Sequence, residues 1–418
     1  MILEKNSKNQ NKENNNEETF NFINKKRIRN IKNNENDLNI KTNNGLKAND
    51  INNNKFNNNP KNIRFLKNII NKAFSRFFNV DYIYNNIIII ESIYNILYLI
   101  YANSTSLYFY NLKDNVIMSK IDKAHNEDIV IFRHYPDKIN EKDYLLTLAI
   151  KDSIKLWDIN KFECLLTLKI NSIKKNEYDF YYDIFFFNST SFLIDKNQIY
   201  IAIAIGFTSF DKLYGKIIRI VDINGKIQKE LGDSKYDSFK DLYNDDNIEK
   251  GVYYMDYYND NKSFNTFIIT SNKGCVISYD YNKGKIYHKY KDDKNDKIYK
   301  KFIIYNRDNI IELLTGSYDG NIRIWNFISG ELLKKIKVYK GKLFDICIWD
   351  NDYLFAGCEK GEIKIIDINK SKICKELNKD LIGLNYGITT INKVYLPQYG
   401  ECIISQCANQ ITLWGNNK

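Results

Sequence analysis

One short pattern returns seven times between residues 107 and 415, and it constrains the fold more than any other property of the chain. Each copy is an apolar–polar–apolar run ending on an aromatic or aliphatic residue, usually followed by Asp or Asn. The copies are LYFYN (107–111), IKLWD (154–158), IRIVD (218–222), ISYDY (277–281), IRIWN (322–326), IKIID (363–367) and ITLWG (411–415). ISYDY fits loosely, with Tyr279 and Asp280 in the places before the last. The large terminal residues are Tyr110, Trp157, Val221, Tyr279, Trp325, Ile366 and Trp414, at intervals of 41 to 64 residues. Most copies are preceded by an apolar strand running into a turn, as in YLLTLAIKDS, FIITSNKG, ELLTGSYDG and YLFAGCEKG. Most are followed by a turn and a further strand, as in FECLLTLKI and GELLKKIKV. Alternation at period two, cut by turn residues about every ten positions, predicts strand–turn–strand units. Four such strands in ~40 residues cannot bury their own apolar faces, so the units must stack, and seven of them predict an all-β ring.

From about residue 85 to 418 these units resemble the WD40 repeat family. The segment Thr315–Asn326 carries the likeness furthest. In it Asp319 matches the family's tight-turn Asp, Ser317 its second-strand Ser and Trp325 its third-strand Trp. The resemblance implies a seven-bladed β-propeller in which these residues join a His in a hydrogen-bond network that fixes the blade. Only Ala124-His125 resembles the Gly-His pair that supplies this His, whereas His134 and His288 fall elsewhere. The network is therefore expected in one blade alone, with Asp152 and Trp157. The blade-fixing residues implied are His125, Asp152, Trp157, Asp158, Ser317, Asp319, Trp325 and Trp414. In function the resemblance implies a protein–protein interaction scaffold within a multi-protein complex, the propeller itself being monomeric.

The seventh copy ends at Gly415, so no outer strand follows it. That strand must come from residues 61–84, which would join both chain ends and remove exposed sheet edges. Within residues 61–78, Ile63, Leu66, Ile70, Phe74 and Phe77 recur at helical spacing and predict an amphipathic helix. The organisation expected is thus a tail over 1–60, a closing segment over 61–84 and the propeller over 85–418. In the tail 22 of 60 residues are Asn and apolar residues are sparse, a composition that predicts disorder. Its basic cluster Lys25-Lys26-Arg27-Ile28-Arg29 reads either as a nuclear-import tag or as solvated charge. The longest intervals hold insertions around Asn171–Asp183, Phe207–Gly215 and Gly232–Gly251, with a polar stretch at Lys291–Asp296, all expected in loops.

Composition narrows the function classes. Seven scattered cysteines form no CxxC pair and read as buried, reduced thiols of an intracellular protein, cytoplasmic or nuclear. The apolar run from Ile87 to Tyr101 is too short to span a bilayer and carries Glu91 and Asn95, so it predicts two strands with a turn near Ser92–Asn95. No phosphate-binding loop, dinucleotide fingerprint, nucleophile elbow or zinc-protease motif occurs, and three histidines far apart give little material for a metal or a catalytic dyad. No cofactor, metal or catalytic residue is assigned, and a propeller enzyme is the least favoured reading. The Phe-Arg-Arg-Gly run of phosphoinositide-reading propellers is absent, and Asn160 stands where a ubiquitin-ligase adaptor would carry Arg. The net charge of +11 and the 32 tyrosines keep a second partner class open, RNA or a ribonucleoprotein.

Overall fold

The Asp or Asn that ends each repeated run explains why the chain turns there. In a computed structural model, residues 60–70, 87–169, 184–209, 212–231, 252–260, 265–292, 297–377, 387–407 and 410–415 are described. In six repeats the side-chain oxygen of that residue accepts backbone N–H groups two to four positions on. Asn111 takes Lys113 and Asp114, Asp158 takes Asn160, and Asp222 takes Asn224 and Lys226. Asp280 takes Lys283, Asn326 takes Ile328 and Ser329, and Asp367 takes Lys370. Each of these turns also holds a residue at positive φ, Gly330 at 76° and Phe162 at 58° among them, and glycine bears that conformation most cheaply. The seventh repeat has Gly415 at this position.

Every repeated run is the third strand of a four-stranded antiparallel sheet, and there are seven such sheets. Blade 1 comprises Ile87–Glu91, Leu97–Asn103, Ser106–Asn111 and Val116–Ile121. Blade 2 comprises Ile129–Asp137, Lys142–Ala149, Ser153–Asp158 and Glu163–Lys169, and blade 3 Ile184–Asp195, Gln198–Ser209, Lys212–Asp222 and Ile227–Leu231. Blade 4 is built from Tyr254–Asp260, Asn265–Ser271, Cys275–Asp280 and Lys285–Lys291, and blade 5 from Tyr299–Arg307, Ile310–Ser317, Asn321–Asn326 and Leu332–Lys337. Blade 6 holds Leu343–Ile348, Tyr353–Cys358, Ile363–Asp367 and Lys372–Leu377. Blade 7 holds Ile388–Leu396, Gly400–Cys407 and Gln410–Gly415, with Arg64–Ile70 as its outer strand. In every blade a bulge between the third and outer strands falls immediately before the large terminal residue. Blade 4 obeys the rule at Ser278/Tyr279, so Tyr279-Asp280 stand where blade 2 carries Trp157-Asp158.

The first strands touch in succession from blade 1 to blade 7, and blade 7 touches blade 1. The protein is a seven-bladed β-propeller. Its core is seven apolar clusters, one in each gap between neighbouring blades. Alternate residues of one strand serve different gaps. Leu156 packs towards blade 3, whereas Trp157 packs towards blade 1. Both faces of each blade are therefore buried, at ~1.5–3 kcal/mol for each large aliphatic side chain.

Arg64–Ile70 pairs antiparallel with Gln410–Gly415, so no helix forms there. The helical spacing misled because two bulges, at Phe65/Lys67 and Asn68/Ile70, stretch the strand's repeat beyond two. Ile63 is fully buried between blades 6 and 7, Phe65 meets the Trp414 ring edge-on at 6.0 Å, and Lys375 Nζ donates to the carbonyls of Lys61 and Ile63. The expected loop over Phe207–Gly215 is instead an extension of the ladder. Phe207, Thr208 and Ser209 pair with Tyr214, Leu213 and Lys212, and Ile184 reaches Thr208 from the first strand. The apolar run near residue 90 is two strands separated by a turn in which Asn95 N–H donates to the Ser92 carbonyl. Cys164, on an outer strand, is exposed and Cys347 and Cys374 are half-buried, contrary to the expectation that all seven cysteines are buried; none forms a disulfide. The Asn-rich head, and the insertions over 171–183 and 232–251, lie outside the described residues.

Closure through two distant segments makes an all-or-none prediction. A chain ending at Gly400, or one beginning at residue 72, should lose the cooperative unfolding transition of the full chain in urea. A sharp transition in either truncated chain contradicts this mode of closure.

Candidate interaction surfaces

Three of the expected blade-fixing residues, His125, Asp152 and Trp157, meet in blade 2 through Thr147. His125 is buried in the connection from blade 1, with Nε2 2.7 Å from Thr147 Oγ1 and Nδ1 3.0 Å from Ser153 Oγ and 3.2 Å from Asp152 Oδ2. Trp157 Nε1 donates to Thr147 Oγ1 at 2.8 Å. The donors fix the tautomer: carboxylate Asp152 can only accept, so Nδ1 carries the proton and the Thr147 hydroxyl donates to Nε2. Burial lowers His125 to about 4, Lys155 adding to the fall and Asp152 opposing it. The ring is thus neutral near pH 7 although a carboxylate stands beside it. Asp158 lies outside this network and caps the turn at Asn160.

Trp325 and Trp414 repeat only the tryptophan end. Trp325 Nε1 donates to Thr315 at 3.2 Å, not to Ser317, and Trp414 Nε1 donates to Ser405 at 2.7 Å. Ser317 accepts the Asp319 N–H at 3.4 Å. Thr147, Thr315 and Ser405 therefore hold the indoles, and each lies ten or nine residues before its Trp, a spacing visible in the sequence. Where blade 5 has no His, Arg323 fills the space. Its side chain is fully buried, Nε donates to Asp292 at 2.8 Å, and the Nη groups donate to Asp319 at 3.2 and 2.5 Å. Burial would raise Asp319, but hydrogen bonds from Arg323 and Asn321 win and hold it down to about 2. Blades 3 and 6 use the same position. Arg219 pairs with Glu230 at 2.6 Å, and Lys364 with Glu362 at 2.9 Å and Glu376 at 2.7 Å.

The two faces of the ring differ in chemistry. The upper face carries the turns from second to third strands and the connections between blades. The lower face carries the turns from first to second and from third to outer strands. All twelve exposed large hydrophobic residues among those described lie on lower-face turns or on the adjoining part of the rim. Tyr94, Ile139, Ile223, Ile310, Ile328 and Tyr395 occupy the turns or strand ends, with Ile139 73% and Tyr395 60% exposed. Phe65, Val116, Ile117, Leu165, Leu332 and Leu333 stand in the first three residues of their outer strands, next to that face. The described part of the upper face over blade 6 is polar. Over blade 6 the connection Lys337–Gly341 and the turn at Glu359 and Lys360 line a cleft of about 510 Å³ with Glu362 and Lys364.

Among the described residues no group of three or more His, Cys, Asp or Glu side chains could hold a metal ion, and no helix is long and apolar enough to cross a membrane. No family model matches the chain, and no curated protein matches it. Among solved structures it resembles the crystal structure of Chaetomium thermophilum Raptor, at 14% identity and a TM-score of 0.59. The match covers 85% of this chain and 30% of that one. The likeness is one of fold, and the chain spans under a third of that protein's length.

Two measurements test these networks. The His125 ring is neutral when folded and protonates near 6.5 when unfolded, so the unfolded state binds more protons between about pH 4 and 6.5. Its contribution is present above pH 6.5 and is lost as pH falls towards 4, by about 3 kcal/mol in all. The stability difference between the natural chain and His125→Gln should shrink over that window, and a difference independent of pH contradicts a neutral His125. In blade 5, Arg323→Met leaves Asp319 and Asp292 without their buried cation. Urea unfolding should show a loss of about 3–5 kcal/mol, partly restored by adding Asp319→Asn.

Proposed function

We propose that the protein is a non-catalytic WD40-type propeller that serves as a docking scaffold for other proteins. The observation that carries this reading is the one-sided placement of exposed apolar side chains. Scattered surface hydrophobics are ordinary, but here they gather on one face and its rim. A rigid ring holds such side chains in place, so little conformational freedom is lost when a partner covers them. The repeat pattern and the His125 network support the WD40 assignment. In that assignment His125, Asp152, Trp157, Trp325 and Trp414, with Ser317, Asp319 and Asp158 at the turns, serve stability, not recognition. The unpaired cysteines suit a reducing compartment. An RNA partner is less well supported, because lysines of the described upper face alternate with carboxylates: Lys335 pairs with Asp292, Lys342 with Glu359 and Lys364 with Glu362.

The test compares faces. A tagged full chain and its Ile139→Asp/Tyr395→Asp variant, with matched unfolding curves, should differ in the proteins they co-purify. The upper-face change Lys340→Glu should leave that set intact. Identical partner sets from all three chains contradict a lower-face scaffold.

A further inference from the structure

The channel that the seven first strands enclose contains charge that the chain itself does not fully engage. Arg133 belongs to blade 2, yet its guanidinium lies 4.5 Å from the ring centroid of Tyr254 in blade 4 and donates to the Met255 carbonyl at 3.3 Å. Blades 2 and 4 are not neighbours, so this side chain reaches past blade 3 across the channel. Lys301 of blade 5 stands over the same Tyr254 ring at 4.2 Å. Lys300 lies beside it because the bulge between Tyr299 and Lys301 drops Lys300 out of the ladder. Two cations from two blades thus stand over one aromatic ring, with Lys300 next to Lys301 in the chain.

The carboxylates in this region are already occupied. Asp345 Oδ1 accepts the Ile346 N–H at 2.9 Å and Oδ2 the Ile391 N–H at 2.7 Å, and Lys301 Nζ is 3.8 Å from Oδ1, beyond hydrogen-bonding reach. Asp256 accepts from Ser191, from the Tyr257 N–H and from the Tyr254 hydroxyl. Arg133 Nε is buried without a hydrogen-bond partner. Burial lowers Lys300 to about 8, Asp345 opposing and Lys301 adding to the fall, so an incoming negative charge would hold it protonated. Arg133 and Lys301 thus share one ring, with Lys301 at ion-pair distance from Asp345 and Arg133 Nε left without a hydrogen-bond partner.

We propose that this part of the channel binds a small polyvalent oxyanion of the phosphate class, held by Arg133 and Lys301 with Lys300 adding charge. Tyr254 forms the wall on which both cations stack, and Asp345 and Asp256 position the neighbouring backbone without competing as acceptor-rich partners. The site uses first strands of several blades, so an occupant would tie those blades together at the axis. It is separate from the lower-face apolar surface and does not depend on the scaffold reading.

Calorimetric titration of the full chain with sodium tripolyphosphate, at ionic strength held constant with sodium chloride, tests the proposal. Saturable binding at one site is expected, with a higher melting temperature in its presence. Arg133→Met and Lys301→Met should each weaken it about tenfold to a hundredfold, the worth of a charge-assisted hydrogen bond. Arg133→Lys, which keeps the charge, should lose less than Arg133→Met and guards against a variant that fails to fold. Absence of saturable binding overturns the proposal, as does binding that survives unchanged in folded Arg133→Met and Lys301→Met, since the anion would then sit on lysines elsewhere.

Discussion

The antiparallel pairing of Arg64–Ile70 with Gln410–Gly415 is the contact on which the rest of the ring depends. Each of the other six sheets is made from one continuous stretch of chain, and its ladders close over short turns. The seventh is made from both ends of the described chain, across more than three hundred residues. Until it forms, the clusters between blades 6 and 7 and between blades 7 and 1 lack a wall, and two sheet edges stay open to other chains. The entropy of closing so long a loop rises only slowly with length, whereas the two apolar gaps it seals are large. Bulges at Phe65/Lys67 and Asn68/Ile70 let seven residues follow five partners, and Ile63 and Phe65 anchor the entry.

Burying both faces of every blade sets the second constraint. A polar residue between two strand apolars ordinarily points to solvent, but in a propeller it points into the neighbouring gap. Arg219, Arg323 and Lys364 are therefore buried cations and must find carboxylates. They do so with Glu230, with Asp319 and Asp292, and with Glu362 and Glu376. In blade 2 the same position holds Lys155, whose Nζ donates to the Ala124 carbonyl beside a neutral imidazole held among Thr147, Ser153 and Asp152. The blades thus share a backbone plan while differing in how the space between second and third strands is satisfied.

Regular strand direction also divides the surface. Turns that join first to second strands all emerge on one side, and there Tyr94, Ile139, Ile310 and Tyr395 stay exposed. Connections between blades emerge on the other side, and the described one between blades 5 and 6 carries Lys337 and Lys340. A single chain with repeated connectivity therefore offers two chemically distinct faces and an axial channel of a third character, charged and aromatic. Such separation lets one rigid body hold different kinds of ligand without competition.

The sequence by itself determined the number of blades, the identity of each third strand and the site of each following turn. Those depend on residues near one another, and Asx capping and period-two alternation act within a few positions. Through its resemblance to the WD40 pattern it also pointed to His125, Asp152 and Trp157, whose types and order match that pattern in one unit. What it left hidden depends on neighbours far along the chain. The strand at Arg64–Ile70 read as a helix because bulges set by its partner distort its period, and Phe207–Gly215 read as a loop because only the paired first strand makes it a ladder. Thr315 displaced Ser317 as the partner of Trp325 because strand register, not similarity of residue type, decides which hydroxyl faces the indole. Arg133, Tyr254 and Lys301 are spread over 169 sequence positions in three blades, and nothing local relates them. Only closure of the ring brings them to one axis, since the channel exists in no single blade.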